Sequence, residues 1–137
     1  MKNGSEWGTL ILRLALGVLF LVHGWDKFQN GLDGTAGFFV SVGIPGFFAT
    51  VVAVVELLGG LLMIVGLATR VVAILFAVVM VVAIATVKWG AGFLGGYELD
   101  LVLLAMSIHL FLVGGGTYAL DTLFRKRNDA SSAKAKA

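Results

Sequence analysis

Three residues able to ionise or exchange protons interrupt runs otherwise suited to lipid: Arg13 in LILRLALGVLFLV, Glu56 in VVAVVELLGGLLMIV and His109 in LLAMSIHLFLV. A carboxyl or an imidazole in apolar surroundings can pass protons to a reacting group, and a guanidinium can hold a carboxylate or a carbonyl oxygen. Glu56 and His109 are therefore candidate proton relays, and Arg13 is a candidate ligand-binding residue. A second polar group comprises His23, Asp26, Lys27, Lys88, Glu98 and Asp100. From it His23, Lys27 and Glu98 join the ligand-binding candidates. Simpler roles compete with each of these. Arg13 and Glu56 suit a register-fixing ion pair, His109 a hydrogen-bonded core histidine, and His23 an interfacial residue. Glu98 with Asp100 suits capping of a helix start, where the dipole favours negative charge.

The elements that must position these residues are read from composition. Of 137 residues 59% are hydrophobic and 13% charged, against about 25% charged in an ordinary soluble domain. This is a membrane composition. Apolar runs cover residues 8–24, 47–67, 71–87 and 99–118, each near the roughly 20 residues a spanning helix needs. Backbone polar groups in lipid must be satisfied within the segment, so the expected fold is all-α, a bundle of four transmembrane helices. Residues 1–124 form the membrane domain, and 125–137 (RKRNDASSAKAKA) are expected to be a basic, disordered tail. The chain has no cysteine, which excludes thiol exchange and thiolate-held clusters on this polypeptide. No metal-ligand or nucleotide-binding motif is present, and nucleic acid is not an expected partner.

With four spans both termini share a side. Lys2, Arg70, Arg125, Lys126, Arg127, Lys134 and Lys136 then face Lys27 and Lys88 across the membrane, and the richer side is expected to be cytoplasmic. Trp7, Trp25, Trp89 and Tyr97 fall at the span ends as interfacial anchors. The connection from residue 26 to 46 is too apolar around FFVSVGI for a solvated loop, and it suits an outer flap. The ATR turn makes spans two and three adjacent and antiparallel.

Reckoned from the cytoplasmic span ends at about 1.5 Å per residue, Arg13 lies roughly 8 Å deep, His109 roughly 10 Å and Glu56 roughly 16 Å. One polar cluster of all three is expected. Helical spacing puts Arg13, Gly17, Phe20, Gly24 and Lys27 on one face, and Ala49, Ala53, Glu56, Gly60 and Met63 on another. A third stripe runs through Glu98, Val102, Ala105, His109 and Leu112. Small residues beside Glu56 allow close helix approach. A bis-histidine haem on His23 and His109 is rejected on depth, because His23 lies near the outer boundary while His109 lies roughly 16 Å below the level of Glu98.

RLALGVLFLVHGWDKF, FFVSVGIPG, ELLGGLLMIVGLATR, GGYELDLVLL and GGGTYALD occur in an order and spacing that resemble the DoxX family of small four-helix membrane proteins, over about residues 9–123. The family name goes back to a membrane subunit of a thiosulfate:quinone oxidoreductase. The resemblance implies an oxidoreductase subunit rather than a complete enzyme. It would have no intrinsic cofactor, quinone as its lipophilic ligand, and electrons from a soluble or membrane redox partner protein. A further copy of the chain is another candidate partner, and the implied location is a bacterial or archaeal plasma membrane. Two other readings stay open: a carrier or channel for a small anion or weak acid using Arg13 and Lys27, and a scaffold whose charges only fix packing.

Overall fold

The computed structural model describes residues 2–137, the side chains of Lys2, Val87 and Lys88 excepted. The elements are α1 (Lys2–Gln29), α2 (Leu32–Ser41), α3 (Phe48–Val65), α4 (Thr69–Ala83), α5 (Glu98–Val113) and α6 (Leu120–Lys136). A π-helical turn, Ile84–Lys88, prolongs α4, and a kinked, glycine-rich turn leads into α5. Four stretches are long and apolar enough to cross a membrane: Asn3–Gln29, Phe48–Val65, Thr69–Thr86 and Phe93–Val113. The protein is an all-α, four-helix membrane bundle.

Two boundaries differ from expectation in ways that matter. α1 has 28 residues, about 42 Å at the helical rise, so Lys27 belongs to the helix rather than to the loop after it. α5 stops at Val113 because Gly114 leaves helical geometry (φ 79°, ψ −166°). The GGGTYA segment is consequently a loop folded under the bundle rather than a last helical turn. The tail expected to be disordered is instead the exposed helix α6. Asp121 in its first turn and Lys134 and Lys136 in its last complement the helix dipole, and its Ala, Lys and Arg residues are good helix formers.

Glycines decide the packing of α1 on α3. A Cβ on Gly60 would stand 2.5 Å from the Leu21 backbone N, one on Gly24 2.5 Å from the Leu57 N, and one on Gly17 2.9 Å from the Gly60 carbonyl O. The two backbones are in direct contact, antiparallel, with rising numbers on α1 meeting falling numbers on α3. The expected faces are the observed ones: Arg13, Gly17, Phe20 and Gly24 are buried with Lys27 half-buried, and Ala49, Ala53, Glu56, Gly60 and Met63 are all buried. α4 is tied in by Phe76, whose ring stacks on Phe20 at 3.7 Å and occupies the space left by Gly59. Leu103 and Leu110 of α5 complete this core with Leu16, Met63 and Val72. α3 packs far more extensively on α1 than on α4. α3 and α4 meet near their turn and at Gly59 and Phe76, then part.

A side chain at Gly60 must therefore push α1 from α3. Gly60→Leu should destabilise the detergent-solubilised protein by about 2 kcal/mol or more, the scale of an overpacked core, read as a lowered thermal unfolding midpoint. Gly37→Ala on α2, where a Cβ meets nothing within 4 Å, should leave the midpoint unchanged or raise it slightly.

Candidate functional site

The α1–α3 register creates two polar sites, one toward each end of the bundle. At the end carrying α2, Lys27 Nζ donates to Glu56 Oε2 at 2.7 Å, with side-chain exposures of 22% and 6%. Gly24 makes this contact feasible, since it lets the α1 backbone lie against Glu56 and Leu57. The lysine stem then needs only to run one turn along its own helix. Lysines near span ends usually reach out to the interface; this one reaches inward to a carboxylate.

The pair borders a chamber of about 550 Å3 between α1, α3, α4 and α5. His23, Lys27, Glu56 and Asp100 supply its charged and imidazole groups, and valines, leucines and phenylalanines supply most of the rest. Its volume lies within the usual range for small-molecule sites, roughly 300–1,000 Å3. Lys27 and His23 line the chamber together with Glu56. Asp100 is buried. Glu98, two residues away and so on another side of the helix, accepts the Gly95 N–H at 3.2 Å. Glu98 thus ties the glycine-rich turn to the start of α5, and no side chain of the N-cap residue Tyr97 caps that helix. Asp100 faces the chamber and is the member that sequence reasoning missed. The signal was available: acidic residues at i and i+2 cannot share one helix face.

At the opposite end the Arg13 guanidinium is buried and bonds backbone carbonyls. Nη1 donates to Gly115 O at 2.8 Å, and Nη2 to Ile64 O and Tyr118 O at 3.4 Å each. Next to it Asp121 accepts the N–H groups of Ala68 (2.8 Å) and Thr69 (2.9 Å) through its two carboxylate oxygens, capping α4. The Asp121 N–H in turn reaches Gly66 O. Gly66 ends α3 in the left-handed region at φ 78°, and any side chain there would strike Ala119. Arg13 pins the α3–α4 turn to the loop after α5.

The three-residue cluster expected of Arg13, Glu56 and His109 is accordingly not assembled. Ile64, which Arg13 touches, is eight residues from Glu56, about 12 Å along α3. His109 is exposed, as are Val102, Ala105 and Leu112 of the expected stripe, while Asp100, Leu103, Ser107 and Leu110 form the buried face. Ser107 enters that face by bonding its own Leu103 carbonyl at 2.8 Å, which removes the cost of burying a hydroxyl. Lys27, His23 and Glu56 come together as site residues; Arg13, Glu98 and His109 lie apart from them.

A membrane bundle holding a charged pair beside a mainly apolar chamber defines an integral membrane protein with an intramembrane cavity. Comparison gives it a family: residues 8–89 match the DoxX family model, and the chain belongs to that family. It is 51% identical to a Bacillus subtilis protein named "Putative oxidoreductase CatD", over 88% of this chain and 90% of that one. It is 36% identical to the "Uncharacterized membrane protein Rv3486" of Mycobacterium tuberculosis, over 92% of this chain and 86% of the other. It is also 28% identical to the Escherichia coli "Inner membrane protein YqjF", over 93% and 99%. No solved structure matches the chain.

Breaking the pair from one side strands the other charge in the membrane. Lys27→Met alone should cost about 3 kcal/mol, and Lys27→Met with Glu56→Leu should recover most of that. A double-mutant cycle on thermal or denaturant unfolding in detergent measures the coupling, and simple additivity of the two single changes would contradict the ion pair.

Proposed function

We propose that the chamber is the site at which a lipophilic quinone meets this protein, which acts as the membrane subunit of a redox system. The observation that carries the reading is the chamber's division into a charged wall and an apolar body, matching a molecule with polar ring oxygens and a hydrocarbon remainder. The relative named an oxidoreductase, 51% identical over most of both chains, supports redox chemistry over a purely structural role.

Reduction of a quinone to its quinol takes two electrons and two protons. This chain has no cysteine and no nucleotide-binding motif, so we assign the electrons to a separate redox partner protein. The chain's own contribution is binding and proton handling. The Lys27 ammonium has three donors, one of them engaged by Glu56, and can offer another to a ring carbonyl oxygen. His23 is placed to do the same for a ligand in the chamber. Glu56, adjacent to both, can take up and release the protons that quinol formation consumes. His109, outside the chamber, is given no step. The cation excess of the loops and tail at the Arg13 end supports a cytoplasmic location for that end in a plasma membrane, by the positive-inside rule. The chamber then opens in the outer half.

Ubiquinone and menaquinone titrated into the purified protein should bind, and Glu56→Gln should weaken binding about tenfold or more. Glu56 fixes the Lys27 ammonium in the chamber, and the loss expected is that of a charge-assisted bond from a lysine no longer held toward the ring oxygen. Absence of binding to the wild-type protein by both quinones sinks the proposal. Equal binding by the variant removes Glu56 from ligand binding.

A further inference from the structure

The chamber wall between α3 and α4 is apolar and open to the outside of the bundle. Val51 of α3 and Leu75, Val78 and Val82 of α4 all line the chamber, yet they are 46%, 44%, 56% and 43% exposed. The cavity therefore reaches the surface of the bundle along this seam. The seam is apolar, so at membrane depth it meets acyl chains and not water. Elsewhere the exposed lining residues, His23, Phe48, Thr86 and Leu99, lie at the α2 end of the chamber. The Phe20–Phe76 stack lies toward the Arg13 end of the chamber. At the α2 end, Phe39 of α2 and Ile44 of the following loop lie against it. α1 and α5, which bring His23, Lys27 and Asp100, stand across from the seam, since α1 packs on α3 and α5 packs on α4.

α2 packs on α3 and, less, on α1 at this end of the bundle. None of its residues is buried although its sequence LDGTAGFFVS is largely apolar, which is the character of a helix lying at a lipid surface. The chamber is also too small to hold a complete isoprenoid tail. A tail spanning one leaflet needs about 15 Å, half of the hydrocarbon thickness, in addition to the space of the ring.

We propose that the seam between the α2-end halves of α3 and α4 is a lateral portal: an isoprenoid quinone enters from the acyl-chain region ring first, reaches Lys27 and Glu56, and leaves its tail between the helices in the bilayer. The occupant rests on the function proposed above; the opening to lipid does not.

The absence of native cysteine lets a single nitroxide be placed at Val55, a half-buried chamber residue, through Val55→Cys in liposomes. Collisions with oxygen should be frequent and collisions with a water-soluble nickel chelate rare. More contact with the chelate than with oxygen, or contact with neither, overturns the portal. In stopped flow, Val78→Trp should make a tailed menaquinone associate about tenfold more slowly, as expected when access is obstructed, while tail-less menadione binds as to wild type. Val71→Trp, at a position of α4 that is 60% exposed and outside the chamber, controls for bulk facing lipid and should change neither. Unchanged association of the tailed quinone with Val78→Trp overturns the route. If wild type binds no quinone while the Val55 label meets oxygen, the quinone is overturned as occupant and the opening to lipid is retained.

Discussion

The structure depends on the direct backbone contact between α1 and α3. Without side chains at Gly17, Gly24 and Gly60 the two helices touch peptide to peptide, and in lipid such packing is a principal source of helix association, because burying apolar groups there brings little further gain. An interface this close has one register. That register sets Arg13 beside the last turn of α3 and Lys27 beside its middle, 14 residues apart on one face of α1, about 21 Å along the axis. Both polar sites follow from one seam of small residues.

The two sites are put to different use because their partners differ. Arg13 directs its terminal nitrogens to carbonyls that terminate or connect helices, where a planar fork of donors that stays charged is well suited. With Asp121 capping α4, the connections at that end are cross-linked by charge-assisted bonds. Among the described residues, the far ends of α3 and α4 have no comparable tie. They part beyond the contact of Gly59 with Phe76, and the chamber occupies the space between. A bundle anchored at one end can hold an opening at the other without losing its core, which lies between the two in Leu16, Phe20, Met63 and Phe76.

The faces of α1 and α3 were legible in the sequence because glycine and alanine recur there at helical spacing beside a single charge. α5 was not, and the reason is physical. ELDLVLLAMSIHLFLV is apolar on nearly every side after its first turn, so periodicity carries no direction, and assuming that its imidazole points inward selects the wrong face. Ser107, the smaller polar residue, can satisfy itself on its own helix and is the one buried. The pairing of Glu56 went astray for a related reason. Depth counted from one boundary brought Arg13 and Glu56 to similar levels but neglected the length of α1 beyond residue 24, which carries Lys27 into the bundle. The Arg13 anchor was hidden because its acceptors are backbone atoms, which sequence patterns do not display. The family, by contrast, was recognisable from short motifs in order, since these are the glycine and charge positions that set the register.

The Lys27–Glu56 pair also limits what the chamber can accept. A lone lysine in this setting would favour an anion and a lone glutamate a cation, each carrying a large desolvation cost. Paired at 2.7 Å, the two present a strong dipole with little net charge. An ammonium retains donors beyond the one given to its carboxylate, so a neutral ligand with acceptor oxygens can bind to the pair without separating it. An anionic ligand must compete with Glu56 for the same cation and also meet buried Asp100. Under the proposed function, this balance of charges suits a neutral, acceptor-bearing lipophile better than the small anion or weak acid that Lys27 considered alone would suggest.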